Sequence, residues 1–93
     1  MNSPLRREAT ARIINKKGLH ARASAKLVEA AARFSCHITV TRDGQTVDAR
    51  SIMGLMMLAA SLGSEISIVA EGADAEEAMT AILALIDAKF GED

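Results

Sequence analysis

The residues best placed to do chemistry are Gly18, Leu19, His20, Ala21 and Arg22, where a histidine stands between a glycine turn and the start of a helical pattern. There the imidazole lies beside backbone N–H groups that have no partner inside the helix, at the positive end of the helix dipole, an arrangement that suits a phosphate. A free imidazole titrates near about pH 6.5, so much of it is unprotonated at neutral pH and can attack phosphorus without a dedicated base. A phosphorylated imidazole is also a good leaving group. Arg22 adds a permanent cation whose planar donors match phosphate oxygens. Together they could take up a phosphoryl group and release it. A histidine at a helix start is more often a polar cap, so spacing alone leaves both readings open.

The elements around this pair are legible from periodicity. Asn15, Lys16, Lys17 and Gly18 supply turn chemistry. From His20 to about Phe34, the polar residues Arg22, Lys26, Glu29 and Arg33 recur at helical spacing, with Leu27, Ala31 and Phe34 opposite them, which predicts an amphipathic helix. Upstream, Ala9, Ala11 and Ile13 alternate with Thr10 and Arg12 as in a half-buried strand. Residues 1–7, which carry the only proline, Pro4, are expected to be a flexible lead-in. Ile38 with Val40, and Val47 with Ala49, predict two strands joined at Asp43 and Gly44, a pair that favours a tight hairpin turn. Ser51 precedes an apolar run, Ile52 to Leu58, expected as a brief helix with a serine N-cap. Ile66, Ile68 and Ala70 predict a fourth strand. Asp74 with Glu77 has the form of a capping box, opening a last helix buried along Met79, Ile82, Leu85 and Ile86.

The order is βαββαβα. It fits an α+β fold, a four-stranded, mostly antiparallel sheet with helices on one face and the other face open to solvent. At 93 residues the chain is sized for a single domain, residues 1–93. Its only aromatics are Phe34 and Phe90, so the core must be aliphatic.

Eleven basic against twelve acidic residues give no global pull toward nucleic acid or an anionic membrane, so any electropositive site is local. Cys36 is the one cysteine, which excludes an internal disulfide and a cysteine-rich metal site and points to a reducing compartment. It reads as a small, semi-buried hydrophobe. His37 beside it invites a metal reading, but no third ligand stands at a recognisable spacing, and neither metal nor cofactor is expected. No apolar run nears the ~20 residues a bilayer span needs, and the first residues lack a secretory signal's apolar stretch, so the expected location is the cytoplasm.

Gly18 Leu19 His20 Ala21 Arg22 resembles the active-site motif of the HPr family of phosphotransferase-system carriers. Arg50 Ser51 Ile52 Met53 Gly54 Leu55 Met56 Met57 Leu58 resembles the family's regulatory-serine region, at the family's spacing. Glu71 Gly72 Ala73 Asp74 and the helix after it also match, so the resemblance runs from about Ala9 to Phe90. It implies an open-faced βαββαβα sandwich. It further implies a catalytic His20 phosphorylated at Nδ1 by the system's enzyme I, with phosphoenolpyruvate as ultimate donor, and an Arg22 that stabilises the phosphate. Ser51 is then the position a serine kinase modifies in some members, and an EIIA-type protein is the downstream acceptor. The family usually has proline where Ala23 follows Arg22; alanine keeps the helix and restores a backbone donor. Lys17 stands where several members carry a small polar residue, and adds positive charge beside the turn.

The Leu55 Met56 Met57 Leu58 run and the Lys89 Phe90 Gly91 Glu92 Asp93 ending are similar to the nitrogen-related branch, whose acceptor is regulatory. Ser51 Ile52 Met53 Gly54 resembles the serine-regulated carriers as well. The reading favours the regulatory branch and leaves the other open. Ile52, Met53 and Met56 are candidates for a partner-docking face, since methionine adapts to unlike surfaces; Met57 fits the core equally well. A monomer is expected. The rival function is a non-catalytic regulatory or ligand-sensing domain controlled through Ser51, because fold does not fix function. An RNA-binding domain of similar topology would need aromatic stacking platforms that two core phenylalanines do not supply.

Overall fold

The computed structural model describes residues 5–92. Four strands form one sheet: β1 (Arg6–Arg12), β2 (His37–Arg42), β3 (Gln45–Asp48) and β4 (Glu65–Glu71). Their spatial order is β1-β4-β2-β3, and all three neighbouring pairs are antiparallel. Helices α1 (Ala21–Ala32), α2 (Ile52–Met57) and α3 (Ala75–Asp87) complete the βαββαβα order, and a single 3-10 turn, Lys89–Gly91, follows α3.

Alternation decides which way each strand faces. Ile38, Val40, Ile66, Ile68 and Ala70 are buried together with Leu27 of α1, Leu55 of α2 and Ile82 of α3, in one aliphatic cluster that Phe90 also joins. The β2–β3 hairpin turns at Asp43 and Gly44 with φ of 50° and 79°, the positive pair that a two-residue turn needs to match strand twist.

Two boundaries and one cap differ from the periodicity reading. β1 begins at Arg6, so residues 5–7 are no loose lead-in: Arg6 pairs with Glu71, Arg7 with Ala70, and the Gly72 N–H donates to the Leu5 carbonyl at 2.8 Å. Pairing on β4 holds this edge segment while its side chains stay exposed, so it has no apolar alternation to betray it. Residues 1–4, Pro4 among them, lie outside the described residues. α1 stops at Ala32, where the Arg33 and Phe34 N–H groups close three-residue bonds onto Ala30 and Ala31. The Asp74–Glu77 capping box does not form. Asp74 is the N-cap residue of α3 by position, but its carboxylate accepts the Ser35 N–H at 2.8 Å and the Cys36 N–H at 2.9 Å. Two backbone donors left free past the end of α1 win it from its own helix.

Candidate functional site

The turn before α1 is built by exclusion. Gly18 has φ of 64°, and a Cβ there would stand 2.3 Å from the Ala60 carbonyl oxygen, so only glycine fits. The next residue donates to that carbonyl, Leu19 N–H to Ala60 O at 2.8 Å. Buried Ser24 ties the turn to the helix by donating from Oγ to the Leu19 carbonyl at 3.0 Å. These contacts leave His20 as the N-cap residue of α1, in extended backbone, with no side-chain bond to its own helix. The first ring of α1 closes with Ser24 N–H on His20 O at 2.9 Å, so the N–H groups of residues 21–23 stay at the open end.

The imidazole turns the other way. Its Nε2 lies 2.5 Å from Glu92 Oε2, with the two side chains 27% and 14% exposed. Glu92 Oε1 accepts from Asn15 Nδ2 at 3.0 Å, and the same amide nitrogen donates to the Gly18 carbonyl at 2.9 Å. Asn15 is fully buried, and its Oδ1 has no hydrogen-bond partner. The hydrogen bonds from His20 and Asn15 hold the Glu92 carboxyl below its ordinary range, against a smaller opposing effect of burial.

His20 and Glu92 open onto a cleft of about 350 Å³ that Lys16, Lys17, Arg22 and Lys26 also line. Arg22 is exposed and makes no hydrogen bond or ion pair among the described residues, so its guanidinium is available to an incoming anion. Lys26 Nζ is engaged, donating to the Phe90 carbonyl at 2.6 Å. Four cations, one carboxylate, an open helix start and an imidazole line a pocket whose chemistry suits a phosphoryl group.

The other residues singled out by the sequence lie around α2. Ser51 caps that helix, its hydroxyl accepting from Gly54 N–H at 2.9 Å. Arg50 reaches back to the end of α1, donating to the Ala31 carbonyl at 3.3 Å and also to that of Phe34. Leu55 alone of α2 is fully buried. Ile52 and Met56 are exposed, Met53 is 70% exposed and Met57 65%, so the core alternative for Met57 is excluded. Leu62 adds a further exposed apolar side chain. Cys36 is buried more fully than expected, at 2% exposure, and burial first, then the Asp74 carboxylate, push its thiol up. His37 faces solvent 3.8 Å from Asp48.

Glu92, Asn15 and Lys26 are the contacts the sequence reading did not foresee. Glu92 is 72 residues from His20, and no local spacing connects them.

Comparison with known proteins gives a consistent result. A family model described as "PTS HPr component phosphorylation site" matches residues 7–88. The phosphocarrier protein HPr of Cupriavidus necator is 54% identical over 88 residues, 95% of this chain and 97% of that one. The phosphocarrier protein NPr of Shewanella violacea is 44% identical, over 95% of this chain and 94% of that one. Among solved structures, HPr-C-His from Thermoanaerobacter tengcongensis superimposes with a TM-score of 0.90 at 48% identity, covering 94% of this chain and 98% of that one.

Proposed function

Because the chain belongs to the HPr family and is a histidine-containing phosphocarrier of the phosphotransferase system, we propose that His20 is the residue that carries its phosphoryl group. The observation that supports this choice is the pairing of an imidazole with an uncapped helix start inside a cationic cleft. Exposed His37 stands in strand β2, 3.8 Å from the Asp48 carboxylate, and is not itself the first residue of a helix.

Family members work between enzyme I and EIIA-type proteins. For this chain, the Nδ1 atom of His20 attacks the phosphoryl group as its bond to the donor breaks. The freed donor keeps the electron pair. Arg22 and the N–H groups of residues 21–23 meet the phosphate oxygens, and the same contacts hold them when an acceptor takes the group away. The donor is an enzyme I-type protein, and Ile52, Met53 and Met56 dock donor and acceptor in turn. Ser51 is the modification position beside that face. The setting is the cytoplasm, and among the described residues no helix is long and apolar enough to cross a membrane.

The acceptor is an EIIA-type protein of the regulatory kind, on the strength of the Leu55 to Leu58 run and the residues from Lys89 onward. The higher identity to a relative named HPr than to one named NPr favours the second reading, an EIIA-type partner of a sugar permease. Incubation with enzyme I and phosphoenolpyruvate, followed by intact mass, tests the carrier reading: one acid-labile phosphate is expected. No mass gain would leave a domain controlled only through Ser51. Transfer from the labelled protein to each kind of EIIA in competition decides the branch.

A further inference from the structure

We propose that Glu92 is the positioning residue of His20: it holds the ring through Nε2–H, leaves Nδ1 as the free nucleophilic nitrogen, and pairs the positive charge the ring acquires when the N–P bond forms. This rests on the reading that His20 is phosphorylated and names the group that prepares it.

The tautomer follows from the contact. An ionised carboxylate only accepts, so the hydrogen shared between Glu92 Oε2 and His20 Nε2 must be the imidazole's own. A neutral ring with its proton at Nε2 has its lone pair at Nδ1, and Nδ1 has no partner among the described residues. Glu92 does not drift, because its second oxygen is fixed by buried Asn15, whose amide also holds the Gly18 carbonyl. One side chain therefore ties the glycine turn, the carboxylate and the ring together.

The backbone after α3 points the same way. Lys89, Phe90 and Gly91 all have left-handed φ, at 56°, 55° and 77°. For the two non-glycine residues this is unfavourable and persists only where the surroundings enforce it. Fully buried Phe90 and the Lys26 bond to its carbonyl supply that enforcement. The outcome of the reversal is to drop Glu92 into a cleft where it is the one carboxylate among four cations, against the imidazole rather than against a lysine.

In the transfer step the Nδ1 lone pair forms the N–P bond while the bond from phosphorus to the donor breaks and its electron pair leaves with the donor. The Nε2 proton stays where it is. The ring becomes cationic and is paired by Glu92; on transfer to the acceptor the N–P bond breaks and the ring returns to neutral.

The test compares full-length wild type, Glu92→Ala and Glu92→Gln, with Glu77→Gln on the exposed side of α3 as control. Nitrogen-15 and proton spectra of the unphosphorylated histidine ring give one readout, and the initial rate of phosphorylation by phosphorylated enzyme I gives the other. Wild type should show an Nε2 proton protected from exchange; in both Glu92 variants it should be lost and phosphorylation slowed about tenfold. Glutamine is expected to fail like alanine, since it offers one oxygen to two donors and no charge. Ring spectra unchanged in both variants, or Glu92→Ala phosphorylated at the wild-type rate or faster, would overturn the proposal. A wild-type protein that accepts no phosphoryl group overturns the reading of His20 itself, which the ring spectra separate from failure of Glu92.

Discussion

Two helix starts in this molecule share a backbone and differ in what their first side chain does. Ser51 enters α2 in extended conformation and its hydroxyl accepts Gly54 N–H. His20 enters α1 in extended conformation too, but its ring makes no cap bond and turns to Glu92. One helix satisfies one of its open donors with its own first side chain; the other leaves all of them open. The surroundings follow suit, since four cations line the cleft at α1 while exposed apolar side chains cover α2. The same element thus presents an open or a capped start according to its first residue, and the side chains around it decide whether that end is cationic or apolar.

The most drastic way to break the comparison is to remove the ring. His20→Ala should abolish phosphoryl uptake, as read by intact mass, with a melting temperature close to wild type, because a partly exposed side chain with no cap bond contributes little to the core. An acid-labile phosphate surviving in that variant would move the acceptor elsewhere. Next in size is Arg22→Ala, which should slow phosphorylation and onward transfer alike by on the order of a hundredfold to a thousandfold, the range for losing one donor aimed at charge that develops in a transition state. Arg22→Lys should recover part of it, lacking the planar fork. Equal rates for wild type and Arg22→Ala would take the guanidinium out of the mechanism.

What was legible in the sequence was what depends on neighbours along the chain. The turn and helix start around His20, the Asp43–Gly44 hairpin and the Ser51 cap are each local, and each forms as read. What was not legible depends on partners brought from afar. Asp74 has the spacing of a capping box, yet its carboxylate goes to Ser35 and Cys36, nearly forty positions away, because those backbone donors have no other partner. Glu92 reaches His20 only through a left-handed reversal that nothing in residues 89–91 except Gly91 advertises. The strand at Arg6 and Arg7 was hidden for another reason: an edge strand held by backbone pairing can keep its side chains exposed. Met57 was undecidable because a helix of six residues buries one side chain deeply, and periodicity cannot say which methionine loses.

A milder perturbation opens the closed helix. Ser51→Ala should transfer phosphate normally and lose about 0.5 to 2 kcal/mol of stability with its cap. Ser51→Asp can still cap, so its melting temperature should stay near wild type, while a charge beside Ile52 and Met53 slows phosphorylation of His20 by hindering desolvation of the docking face. Met53→Asp should act the same way without touching the cap. A Ser51→Asp variant that is phosphorylated as fast as wild type would remove Ser51 from that face, and a Met53→Asp variant phosphorylated at the wild-type rate would remove Met53 from it.

The smallest effect concerns the third helix start, where Asp74 lends its carboxylate to the segment after α1. The Ser35 N–H first, with smaller help from Cys36, holds this carboxyl below its ordinary value, opposed in part by desolvation. A carboxyl lowered by folding gives stability that is fully present above the unfolded value, about 3.9 for aspartate, and is lost as pH falls through the lower folded value. Asp74→Asn keeps an acceptor for one donor and removes the charge. Its melting temperature should therefore lie below wild type near neutral pH, and the two curves should converge as the pH drops below about 4. The comparison must be made in a Glu92→Gln background as well, because Glu92 is also held low and titrates in the same direction. Curves that stay parallel from neutral to acid pH would mean that Asp74 serves by shape alone, and that the cap α3 gives up is not repaid by charge at Ser35 and Cys36.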